Sequence, residues 1–200
     1  MIPFEDARVI ARELSLLSPD NLRSLHQACQ AVEGLEGAVA EVGVYRGGSA
    51  KFLMACLPDK DFWLFDTFTG LPAHNKGDHD KGAFAAEESE VNAFLGDGLD
   101  VSYVVVPGVF PESVEDMEDM DDKFCFVHLD TDTYESTKAG LEIFWPKIVL
   151  GGKVYIHDYD WPACPGVTAA VDEFCTDMGI KEEIAVPGSV KYMCITRTVL

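Results

Sequence analysis

The spacing of apolar residues changes repeatedly along the chain, and each change marks a predicted element. SPDNLRSLHQACQAVEGL opens on Ser-Pro-Asp and sets Leu22, Leu25, Ala28 and Val32 at helical spacing. It predicts an amphipathic helix ending at Gly34. GAVAEVGVY is a nearly continuous apolar run and predicts a buried strand. GGSAKFLMACL then reads as helix, DFWLFD as strand, EESEVNAFLGD as helix and VSYVVVPG as strand. KFCFVHLD is the fourth predicted strand and GGKVYIHD the fifth. Between them YESTKAGLEIFWPKIV forms a helix with Leu141, Phe144 and Trp145 as its stripe. TAAVDEFCTDMG is a last helix before the strands EEIAV and KYMCITR, which the turn PGS joins. Alternating strands and helices predict an α/β fold with a mainly parallel, doubly wound sheet, and the short final turn predicts an antiparallel hairpin at its edge.

At 200 residues the chain reads as one domain, with residues 1–36 as an N-terminal helical segment. Residues 67–98 read as a lid-like insertion. Its first part, TFTGLPAHNKGDHDKGAFAA, is a long, polar, glycine-rich connection, and such loops usually carry function. Fifteen Lys and Arg stand against 35 Asp and Glu, a formal charge of −20. That surface repels phosphate backbones, so nucleic acid and anionic membranes are poor partners, whereas a divalent metal or a sulfonium cofactor suits it. No apolar run approaches a membrane span, and the N-terminus lacks a signal-peptide pattern. Six scattered cysteines without a CxxC pair read as reduced thiols of a cytoplasmic protein. A homo-oligomer is compatible with all of this.

Two constellations carry chemistry. HLDTDTYEST and VYIHDYD place Asp130, Asp132, His157 and Asp158 at the ends of the fourth and fifth predicted strands, where an α/β sheet opens its ligand crevice. One crossover helix separates them, so Asp130 and Asp158 fall on neighbouring strand ends. Carboxylates suit magnesium or another hard ion. The plain alternative is a helix cap with solvated loop acids. His157 is a candidate ligand, general base or packed core histidine, and strand alternation points it away from Asp158. His128 shares the parity of Asp130 within an apolar run.

EVGVYRGGSA leads from the first strand into a helix, with glycines that admit a ligand to backbone N–H groups. It matches neither GxGxxG nor a P-loop. Asp66 ends the second strand, where an acid can accept from a ribose. Together they fit a nucleoside ligand, the alternative being a tight turn capped by Asp66. The candidate cofactor positions are Glu41, Gly43, Tyr45, Gly47, Gly48, Ser49, Asp66, Phe68 and His128. His74, Asp78, His79 and Asp80 are candidates to cover the acceptor, and Phe68, Tyr159 and Trp161 to line its pocket.

These segments, with DTFTGLP, GAFAA, GVFPESV and CPGVTAAVDEF, resemble in unbroken order the macrocin O-methyltransferase (TylF/MycF-like) family. The resemblance implies a class I methyltransferase, a Rossmann-like three-layer sandwich. It implies an S-adenosylmethionine-dependent, magnesium-dependent O-methyltransferase acting on a hydroxyl of a sugar or glycosylated small molecule. The cofactor would lie over Glu41, Gly43 and Asp66, with Asp130, His157 and Asp158 at the metal and Asp130 and His157 as catalytic candidates. His157 stands where members of that family commonly carry an acid. Three rivals remain: a catechol or phenol O-methyltransferase, a cofactor-binding homologue without turnover, and a non-haem iron oxygenase using His128, Asp130 and His157. The oxygenase triad typically rides on an all-β jelly roll, against the alternation seen here.

Overall fold

Five of the apolar runs become parallel strands: β1 (Ala38–Val42), β2 (Phe62–Asp66), β3 (Tyr103–Pro107), β4 (Phe124–Leu129) and β5 (Ile148–Tyr159). The computed structural model describes residues 1–11, 14–72, 79–114, 117, 120–180, 183–184 and 191–198. Two further strands, β6 (Glu183–Ile184) and β7 (Lys191–Thr196), extend the sheet in the order β3-β2-β1-β4-β5-β7-β6. β7 runs antiparallel to both its neighbours. The antiparallel edge is therefore present, while the PGS turn lies outside the described residues.

Helices α1 (Phe4–Ala11), α2 (Pro19–Val32), α3 (Gly48–Cys56), α4 (Glu88–Gly96), α5 (Tyr134–Phe144) and α6 (Pro165–Met178) cover the sheet. Every residue of β1 and of β4 is buried, as both-sided helix cover requires of central parallel strands. One core holds Leu25, Phe52, Leu53 and Phe126 under α2 and α3, and a second holds Phe65, Phe144 and Val171 under α5 and α6. The result is a three-layer α/β sandwich. It has no jelly-roll topology, which removes the oxygenase reading. No helix among the described residues is long and apolar enough to cross a membrane, and all six cysteines are buried as thiols.

Ser18 caps α2 by accepting from the N–H of Asn21, and Leu22, Leu25, Ala28 and Val32 all point inward. Two boundaries depart from the sequence reading. The first predicted strand stops at Val42, because Gly43 turns the backbone to a φ of +94°. The fifth begins earlier, at Ile148, directly after a short 3-10 turn at Trp145–Lys147. The chain leaves β1 towards β2 on one side while β4 pairs in parallel on the other, so the strand order reverses between β1 and β4. The crevice beyond the carboxyl ends of β1 and β4 is the expected ligand site.

Candidate active site

Glycine shapes the wall of this crevice beyond β1. A Cβ on Gly43 would stand 1.9 Å from the carbonyl oxygen of Asp130, so only glycine lets the two strand ends meet. A Cβ on Gly48 would lie 2.2 Å from the Ser15 nitrogen, where the segment before α2 crosses the start of α3. Gly47 caps α3 without a side-chain hydrogen bond, and Gly48 and Ser49 of its first turn face the cavity. Amide groups at such a helix start are suited to a ligand's carboxylate or hydroxyl.

Asp66 holds this wall together. Its Oδ2 accepts from the N–H groups of Val44 and Tyr45, and its Oδ1 from that of Phe68, each at 2.7 Å. A carboxylate has about four acceptor positions, so about one remains for a ribose hydroxyl. Asp66 lines the cavity and braces the loop together.

Opposite, Asp130, His157 and Asp158 converge, with one ligand atom from each lying within 4.8 Å of the others. Nδ1 of His157 is 3.0 Å from Asp130 Oδ1 and 3.1 Å from Asp158 Oδ1. It is nevertheless buried without a partner in hydrogen-bond geometry. Nε2 lies 3.1 Å from the amide nitrogen of Asn21, which fixes the ring from α2. Burial disfavours the imidazolium, but the charges of Asp130 and Asp158 outweigh it and hold His157 well above its ordinary value. Burial likewise opposes ionisation of Asp130, and His157 outweighs it to hold that carboxyl below its ordinary range. Burial, reinforced by the charges of Asp130 and Asp158, pushes Asp132 up to about 8. Two carboxylates and a ring nitrogen within 4.8 Å of one another fit a divalent cation, the carboxylates suiting a hard ion such as Mg2+ and the imidazole being the softer donor.

The alternation expected of β5 fails here. Asp158 adopts a left-handed φ of 59°, and the β5–β7 register shifts between Ile156 and Tyr159. The side chains of His157 and Asp158 therefore reach the same cavity instead of opposite faces.

Of the nine candidate cofactor positions, Gly43, Tyr45, Gly48, Ser49 and Asp66 line the cavity. Glu41 and His128 are fully buried behind it as a pair, with Oε1 to Nδ1 at 2.7 Å and His128 Nε2 3.1 Å from the Tyr192 hydroxyl. Burial pushes the Glu41 carboxyl up, partly offset by His128 and by nearby Ser49. Gly47 packs on Val91 and Leu95. Phe68 is buried in the core, the Tyr159 hydroxyl donates to Asp172, and Trp161 packs on the α5–α6 side, so none of the three lines the cavity.

The 67–86 loop closes at a neck where Leu71 N–H donates to the Ala83 carbonyl and Gly82 N–H to the Leu71 carbonyl. Its Leu71, His79 and Phe84 reach the cavity, Asp80 is exposed, and His74 and Asp78 lie outside the described residues. Sequence reasoning missed Asn21 and the Leu14–Leu17 segment, which also lines the cavity. Asn21 looked like an ordinary first-turn helix residue, and no local signal ties it to His157.

The profile of the macrocin-O-methyltransferase (TylF) family matches residues 12–195. A demethyldecarbamoylnovobiocin O-methyltransferase of Streptomyces niveus is 29% identical over 189 residues, covering 85% of this chain and 71% of its own. The 8-demethyl-8-(2,3-dimethoxy-alpha-L-rhamnosyl)-tetracenomycin-C 4'-O-methyltransferase of Streptomyces olivaceus is 29% identical over 208 residues, covering 92% of this chain and 77% of its own. Among solved structures, the O-methyltransferase NovP superposes with a TM-score of 0.78 at 25% identity, over 98% of this chain and 88% of that one.

Proposed function

Because the chain belongs to the macrocin O-methyltransferase (TylF) family, we propose that it carries the methyl group of S-adenosylmethionine to a hydroxyl of a sugar or glycosylated small molecule with the help of a divalent cation. It is an O-methyltransferase of the class I fold. The observation that carries the finer reading is one cavity walled by the glycine loop on one side and by Asp130, His157 and Asp158 on the other. A relative whose name specifies a rhamnosyl group supports a sugar hydroxyl as the acceptor.

S-Adenosylmethionine brings a methyl group already activated by its sulfonium. A sugar hydroxyl is a poor nucleophile at neutral pH, so the protein must act on the acceptor. A bound divalent ion such as Mg2+ would lower the hydroxyl pKa and fix its direction. Asp130 and Asp158 would hold it through carboxylate oxygens and neutral His157 through Nδ1, with the proton on Nε2 and the Asn21 amide turned so that its oxygen accepts from Nε2–H. We assign the acceptor's proton to Asp130, which lines the cavity where its backbone meets Gly43. Asp66 would take a ribose hydroxyl with its remaining acceptor position, and the amides of the α3 start would meet the polar end of the cofactor. Leu71 and Phe84, from a lid-like segment spanning residues 67–98, cover the acceptor and exclude water.

Calorimetry with S-adenosylhomocysteine, followed by transfer of labelled methyl to a panel of glycosides and catechols, tests this reading. Binding with transfer to glycosides is expected. Binding without transfer to any acceptor would favour the non-catalytic homologue, and transfer confined to catechols would favour a phenol enzyme.

A further inference from the structure

Beside the first acidic corner lies a second group with different donor chemistry. The chain turns twice after Asp158, with Trp161 N–H donating to Asp158 O at 3.1 Å and Cys164 N–H to Trp161 O at 2.9 Å. This brings Cys164 to the start of α6. Gly166 then allows α6 to press on the start of α5, since a Cβ there would lie 2.9 Å from the Tyr134 nitrogen. Asp132, in a left-handed conformation with φ 59°, precedes that helix. The two packed turns set Cys164 Sγ 3.4 Å from Asp132 Oδ1. From the loop above, His79 completes the group. Its ring stands edge-on to Phe84 at 5.0 Å, and Phe84 edge-on to Tyr45 at 5.9 Å. One imidazole nitrogen, one carboxylate oxygen and one thiol sulfur thereby lie within 4.8 Å of one another.

We propose that His79, Asp132 and Cys164 form a second cation site, suited to a zinc-class ion, that ties the 67–86 loop to the start of α6. Sulfur decides the selectivity. Cysteine sulfur with imidazole and one carboxylate favours Zn2+ or Co2+, the bound ion displacing to solvent the thiol proton that Cys164 otherwise donates to Asp132, while Mg2+ prefers the two carboxylates of the Asp130 group. Three protein donors leave a fourth tetrahedral position towards the cavity, which His79 and Asp132 both line. An ion there fixes His79, and with it Phe84, against the glycine loop. The inference stands on donor geometry and not on the methyl-transfer reading.

The test is titration of the metal-free, full-length protein with Co2+, followed by absorption spectroscopy. A thiolate-to-cobalt charge-transfer band that saturates at one equivalent and is displaced by Zn2+ is expected. Cys164→Ser should abolish the band, His79→Ala should weaken the affinity by at least about tenfold, and Asp130→Asn should leave the band in place. His79→Ala alters a loop residue and keeps the test informative if Cys164→Ser fails to fold. The proposal is overturned if no thiolate band forms, if the band survives Cys164→Ser, or if Asp130→Asn removes it. No turnover is needed, so a negative result leaves the assigned methyl transfer untouched.

Discussion

The two walls of the cavity are built on opposite terms. On the glycine-loop side a carboxylate and backbone amides meet, although Glu41 Oε2, buried behind that wall, has no hydrogen-bond partner. Asp66 gathers three backbone N–H groups, and Gly43 and Gly48 remove the Cβ atoms that would hold neighbouring backbones apart. On the β4–β5 side, three acids and one imidazole crowd together, and Nδ1 of His157 has no hydrogen bond. The difference teaches what folding finishes unaided. The first wall is complete once the chain has folded and binds through its backbone shape. The second keeps more acids than its one imidazole answers, and in the proposed function a cation supplies the difference.

The comparison can be broken most violently at Gly43. Gly43→Ala combines a left-handed φ with a Cβ overlapping the Asp130 carbonyl, and it should cost about 3 kcal/mol or more in denaturant unfolding. A variant as stable as the wild type would show that the walls are not locked to each other. On the crowded wall the effect should fall on activity instead. Asp158→Asn should lower turnover by about two orders of magnitude or more, while the melting temperature of the metal-free protein holds or rises, because one of several like charges is gone. Joint loss of stability and turnover would mean that the acids are structural.

Asp66→Ala sharpens the contrast at smaller scale. Losing a charged acceptor for backbone and ribose should weaken S-adenosylhomocysteine binding by about 2 kcal/mol and also lower the melting temperature. Unchanged binding would leave Asp66 as a loop brace alone. The smallest effect is a pH dependence. Asp132 is raised from 3.8 to about 8, so its contribution to stability is complete below about pH 4 and is lost as pH rises towards 8. Asp132→Asn should flatten the fall in melting temperature of the metal-free protein across that window. An unaltered slope would assign the fall to other groups.

These walls were unequally legible in the sequence. β1 and β4 are buried on both faces and read as plain apolar runs, and the stripe of α2 falls where its period predicts. Gly43, Asp66, Asp130 and Asp158 were legible because strand ends in an alternating fold converge on one crevice. The partnership of Asn21 with His157 was not, since it depends on how α2 docks against β5. Nor was the burial of Glu41 and His128, because it depends on His128 reaching Glu41 through one nitrogen and the Tyr192 hydroxyl through the other, across the sheet. The left-handed Asp158 defeated the parity argument at His157 for a local reason, since one positive φ cancels the period of two.

The central claim is that the crowded wall needs a cation in order to move a methyl group. It is tested most directly by following transfer of labelled methyl from S-adenosylmethionine to a glycoside acceptor before and after exhaustive chelation, then on return of Mg2+. The account predicts that transfer falls to background on chelation and recovers with Mg2+ in the wild type, but does not recover in Asp158→Asn. Full transfer in the chelated wild type would contradict it.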